Sequence, residues 1–188
     1  MRYEKGRKDA SRSKIMEVAA DRFRADGIAA SGLASIMSDA GLTNGAFYPH
    51  FQSKTELVRE AVAAALEAQT EQLREALAAG GPELAIAIYL SPEHRDNPAK
   101  GCASAALLPE IARQPPETRS LYAERLQAQV QLVAAALPGS GDPEGTALGL
   151  FATLIGTLQL ARAAQGSELS DRILAAGAAA ARTLIRPT

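Results

Sequence analysis

Residues 39–51 read DAGLTNGAFYPHF, and this stretch restricts the possible fold more than any other in the chain. It separates two short apolar patterns by only four residues, GLTN. Upstream, Leu33, Ile36, Met37 and Ala40 recur at helical spacing, and downstream Phe47 and Phe51 stand four apart and so share a helix face. Gly41 suits the left-handed position that closes a helix, and Leu42 is an apolar residue able to bury beneath the turn. Thr43 is a fitting cap for a third helix, Ser31 for the second. Ala40 is small enough for the two helices to cross closely. A preceding helix, with Ile15, Val18, Ala19 and Phe23 on one face, stops at Gly27. Three short helices with this turn between the last two predict a helix-turn-helix arrangement.

The rest of the chain predicts helices and nothing else. Alanine is abundant, tryptophan is absent and β-branched residues are sparse, a mix that favours an all-α fold. Ser53 with Glu56 three residues on reads as a capping box opening a long helix, which Gly80-Gly81-Pro82 ends. Shorter segments follow near 83–91 and 101–113, divided by the loop SPEHRDNP, with His94 facing solvent. A helix over about 117–137, the linker PGSGDP, a helix capped by Asp142 with Pro143 at its first position, and a last helix over about 169–185 complete about nine. The organisation expected is a head, 1–53, and a body, 54–188.

A single cysteine and a charged N-terminus without an apolar core point to a reducing, cytoplasmic setting. The apolar run over 147–158 is too short to cross a bilayer, so no membrane partner is expected. Net charge is −1, but residues 1–59 hold ten Lys/Arg against seven Asp/Glu, leaving the remainder acidic. The basic N-terminal segment RYEKGRKDASRSK reads most simply as a disordered, solubilising tail, with a minor role touching nucleic acid as the alternative. Two distant histidines, one cysteine and no acidic pair leave nothing for catalysis, a metal or a cofactor.

Chemistry suited to nucleic acid gathers at the turn. Thr43, Asn44, Gly45 and Ala46 sit at the leading end of the third helix, where this motif meets base edges: Asn44 can pair with adenine, and Gly45 and Ala46 permit close approach. Tyr48, His50 and Lys54 offer a hydroxyl, a ring donor and a charge for phosphates. Ser31 joins this candidate set. Pro49 removes one backbone donor and disfavours helical angles at Tyr48, so the third helix is expected to be short or bent.

The run RSKIMEVAADRFRADGIAASGLASIMSDAGLTNGAFYPHFQSKTELVREAV resembles the DNA-binding head of the TetR family of bacterial transcriptional repressors, most specifically in AGLTNGAFYPHFQSKTEL. Met37 stands where that family usually has a small alanine. The resemblance implies a homodimer on a palindromic double-stranded DNA operator and release by a small hydrophobic effector. It also implies an apolar cavity in the body, with Leu84, Ile88, Tyr89, Cys102, Leu107, Leu108, Ile111, Leu126 and Val130 as candidate walls. Cys102, at a helix start, is either a small buried hydrophobe or a reactive thiol. Gly149 and Gly156 lie seven apart with Ala152 and Leu160. Because the family pairs its last two helices with a partner's, these residues, with Ile173 and Ala180, are the expected subunit interface. Two other classes stay open: a helical protein-interaction module, and a small carrier or enzyme using the body cavity.

Overall fold

A computed structural model describes the backbone of residues 2–137, 139 and 141–186, and their side chains except those of residues 2–5 and 7. Among the described residues there are eight α-helices and no strands: α1 (Arg2–Asp26), α2 (Leu33–Asp39), α3 (Lys54–Tyr89), α4 (Pro92–Asp96), α5 (Ala103–Ile111), α6 (Pro116–Ala135), α7 (Pro143–Ala163) and α8 (Glu168–Leu184). Pro138 and Ser140 of the expected linker PGSGDP lie outside the described residues.

Several boundaries follow from local chemistry. Gly41 sits at φ +70°, and its N–H donates to Ser38 O while Leu42 N–H donates to Met37 O, the paired bonds that close a helix with a left-handed residue. Ser53 Oγ accepts from Glu56 N–H at 3.1 Å. The Glu56 carboxylate reaches back one residue further than expected, to Gln52 N–H at 2.6 Å. Asp142 caps α7 by accepting from Gly145 N–H at 2.9 Å.

Three expectations are corrected, and that of a short or bent third helix is borne out. The basic N-terminal segment is not a loose tail; its backbone is the first half of α1. Ser31 caps nothing: it is fully buried, its hydroxyl donates to Gly27 O at 2.7 Å, and Gly32 holds the cap position of α2. The expected third helix is a single 3-10 turn, Asn44–Ala46, followed by a turn through Pro49. Pro49 has no N–H to carry a helical ladder back to Gly45, and the chain resumes only with His50 and Phe51 donating to Phe47 O. Finally, SPEHRDNP is not a plain loop: it contains α4 and leads into a 3-10 turn, Pro98–Lys100.

Two cores result. The first joins Ile15, Ala19 and Phe23 of α1, Ile36 and Met37 of α2, and Phe47 and Phe51, whose rings stack at 5.4 Å. It does not stop at residue 53, since Leu57, Val58, Ala61 and Leu66 of α3 and Leu107 and Ile111 of α5 belong to it. The second lies between the end of α3 and helices α5 to α8. By length and composition α7 could span a bilayer; here it packs against α8, α6, α5 and α4. Inside α3 the backbone breaks at Gly80 (φ −160°, ψ 19°) and Gly81 (φ 66°, ψ −164°), where Pro82 restarts the helix.

Candidate DNA-reading surface and ligand cavity

Phe47 and Phe51 are each 1% exposed, and anchoring them inward turns their neighbours out. Thr43, Asn44 and Gly45 are exposed, Ala46 is half-buried, and Tyr48 is 70% exposed. These five form a rim about the 3-10 turn Asn44–Ala46, to which Thr43, Asn44 and Tyr48 bring polar groups. The other three candidates sit differently. Ser31 is buried behind the rim, as described. Lys54 is half-buried and its ammonium donates to Ile28 O at 2.7 Å, so it braces the turn between α1 and α2. His50 is half-buried with Nδ1 enclosed and unpartnered among the described residues. Burial, then the nearby Lys8 and Arg12 charges, lower its pKa, so its ring is neutral near pH 7.

Lys8 and Arg12, in the basic N-terminal segment, were not singled out from the sequence. Arg12 lies over the Phe51 ring at 4.8 Å and pairs with Glu60, which places α1's basic N-terminal half beside the reading turn. The continuity of α1 back through Gly6 was the signal, and the glycine and the density of charge concealed it.

The body holds a cavity of about 670 Å³ between the two halves of α3, the α4–α5 segment, α6 and α7. Of the nine expected wall residues, Leu84, Ile88, Tyr89 and Cys102 line it. The other five do not. Leu107 and Ile111 belong to the first core, Val130 is fully buried in the second, and Leu108 and Leu126 pack against the second. Helical spacing put all of them on inward faces, and inward faces are mostly core. Leu73, Leu77, Phe151 and Leu154 supply apolar wall that the sequence did not single out.

His94 is the clearest correction here. It is not solvent-facing: its ring sits edge-on to Tyr89 at 4.8 Å, Nδ1–H donates to Tyr89 O at 2.7 Å, and Nε2 accepts from Cys102 N–H at 3.0 Å. Burial, with the Arg162 charge as a lesser cause, lowers its pKa below the ordinary value. The folded chain therefore takes up this proton less readily than the unfolded chain. His94's contribution to stability is complete above about pH 6.5 and is lost as pH falls from there towards the folded-state value, where a protonated Nε2 would face the Cys102 N–H. Urea unfolding between pH 8 and 5 is expected to show a steeper acid loss for the parent than for His94→Gln. Parallel curves would contradict this.

The cavity wall is tied to the head. Arg24 of α1 donates to Ala99 O at 2.6 Å, and Lys100 pairs with Asp21 at 2.5 Å. From α5, the Glu110 carboxylate accepts from Ile28 N–H and Ala29 N–H at 3.0 and 2.9 Å, gripping the turn into α2.

On the far side, α7 and α8 present an apolar face. Leu160, Leu169 and Leu148 are 62%, 53% and 47% exposed, and Ala152 and Ala180 are exposed too. A Cβ added at Gly149 or Gly156 would meet nothing within 4 Å, so neither glycine serves packing within the chain. Ile173 is half-buried against the second core.

A helical head with a tight turn after its second helix, fixed to a helical body with a cavity, has the layout of a helix-turn-helix protein. Residues 15–61 match the model for bacterial regulatory proteins of the tetR family. No curated protein is matched by the sequence. Among solved structures, the reduced form of E. coli NemR is similar over 95% of this chain and 98% of its own, with a TM-score of 0.80 and 20% identity. A TetR transcriptional regulator from Chloroflexus aurantiacus is similar over 98% and 96%, with a TM-score of 0.74 and 24% identity. FadR from Bacillus subtilis in complex with stearoyl-CoA is similar over 94% and 98%, with a TM-score of 0.69 and 15% identity. Residues 15–61 thus match the tetR-family model, and the chain as a whole shares the fold of these solved structures.

Proposed function

We propose that the protein is a ligand-responsive transcriptional repressor, a homodimer that holds a palindromic operator and lets go when a small hydrophobic effector fills the body cavity. The observation that carries this reading is the set of bonds from the cavity-walling segment to the head: His94, Asn97, Lys100, Gly101 and Cys102 line the cavity, and Lys100 with its neighbour Ala99 bonds to α1. Residues 1–53 act as the reading head and 54–188 as the sensing and pairing body. Thr43, Asn44, Gly45 and Ala46 meet base edges, while Tyr48, with Lys8 and Arg12 behind it, meets phosphates.

The α7–α8 face supports pairing with a second copy, since small exposed residues let partner helices approach closely. The acyl ligand held by the similar FadR structure supports a hydrophobic effector. An effector must favour the non-binding state by roughly 5.5 kcal/mol to carry the operator from 1:99 to 99:1.

Fluorescence anisotropy against duplexes flanking the protein's own gene tests the reading. Tight, salt-dependent binding is expected for the parent. Tyr48→Ala is expected to weaken it about tenfold, a loss near 1.4 kcal/mol, without lowering Tm, because the ring is largely exposed. Failure of the parent to bind any duplex at low salt would sink the proposal.

A further inference from the structure

The inner end of the cavity carries a feature that a merely apolar pocket does not need. Tyr89 closes α3, and its hydroxyl is buried with no hydrogen-bond partner of normal geometry among the described residues, with only the Cys102 thiol, a weak acceptor, close to it. One layer behind the cavity lining, beside Gly101, Arg162 of α7 donates Nη2–H to His94 O at 2.8 Å and Nε–H to Arg95 O at 3.1 Å, while its Nη1 is buried and likewise unpartnered among the described residues. Both orphans are donors. His94 cannot satisfy them, because its one acceptor nitrogen is taken by the Cys102 N–H. The acids of the cavity, Glu75 and Glu93, are exposed residues at its rim.

Buried donors without acceptors are costly, and a cluster of them beside a fixed positive charge is a place for an anion. We propose that this end of the cavity receives the carboxylate of an amphiphilic ligand, held by Tyr89 Oη–H and Arg162 Nη1–H, with the hydrophobic chain running along Leu73, Leu77, Leu84 and Leu154. The assignment rests on reading the cavity as the effector pocket, and it names the ligand's chemical class. Burial holds the Tyr89 phenol well above its usual pKa, so it stays a donor throughout the working range. The volume of about 670 Å³ falls within the range of pockets that enclose small ligands.

The probes are dodecanoate, dodecanol and dodecyltrimethylammonium, each titrated calorimetrically below its micelle concentration into the full chain without DNA. Dodecanoate is expected to bind one per chain, dodecanol at least tenfold more weakly, and the cation not measurably. Tyr89→Phe is expected to weaken dodecanoate at least tenfold, leave dodecanol unchanged, and raise the ligand-free Tm by removing an unpartnered hydroxyl. A tyrosine serving only packing would instead lower Tm and alter all three probes alike. Equal binding of acid and alcohol, or an unaltered acid affinity in Tyr89→Phe, overturns the assignment. Dodecanoate bound as expected but without effect on duplex affinity upholds the assignment and removes the effector reading. Intact duplex binding with no carboxylate uptake does the reverse.

Discussion

Gly177→Ala is expected to lower the melting temperature by several degrees and to loosen α8 from α7. Gly177 is buried where those two helices cross, and a Cβ placed there would overlap Oγ1, Cγ2 and Cβ of Thr157. Both partners sit in regular helix, so the overlap is relieved only by moving one helix off the other. Overpacking of this kind costs about 1–3 kcal/mol, and for a chain of this size each kcal/mol moves Tm by roughly 2–4 °C. Thr157→Ala in the same chain removes two of the three overlapping atoms and is expected to restore part of the loss. Because α7 and α8 also carry the exposed apolar face, sedimentation of Gly177→Ala is expected to show weaker self-association than the parent. An unchanged Tm would mean the crossing is slack.

Phe47→Ala is expected to do more damage, and to confine it to the head. The ring is 1% exposed, stacks on Phe51 at 5.4 Å and meets Tyr48 edge-on at the same distance. Truncating a buried phenylalanine costs about 3–5 kcal/mol. Among the described residues two ladder bonds hold the 3-10 turn, Ala46 N–H to Thr43 O and Phe47 N–H to Asn44 O, so it cannot survive without its anchor. Hydrogen exchange is expected to rise sharply over 27–52 while α7 and α8 stay protected, and duplex binding is expected to vanish with self-association intact. Parent-like duplex binding by Phe47→Ala would contradict the role of this ring.

Much of this fold was legible because its signals are local. Gly41, Ser53 and Asp142 close or open helices through bonds to residues at most five positions away, and Phe47 and Phe51 declare their shared face by spacing alone. The sequence also showed that Pro49 would disturb the third helix. How far it did so depended on how little else holds those residues in a helix, and that is a tertiary matter. Ser31, Lys54 and His94 were misplaced for a related reason. Each looks exposed from its neighbours, and each is bound through the fold: Ser31 to Gly27 O, Lys54 to Ile28 O across 26 residues, His94 to Cys102 N–H. The cavity walls were half legible, because inward-facing residues were easy to find and those beside empty space were not.

The interruption of α3 at Gly80 and Gly81 bears on how a signal can travel. The stretch before it is cemented into the head, and the stretch after it ends in Tyr89 at the cavity. With two torsionally soft residues between them, a push on Tyr89 dissipates at that joint instead of levering the long helix. The stiffer route is lateral, through the Ala99–Arg24, Lys100–Asp21 and Glu110–Ile28 links, so under the proposed ligand response a nine-residue helix and its leading turn, not the longest rod in the molecule, would be the transmission.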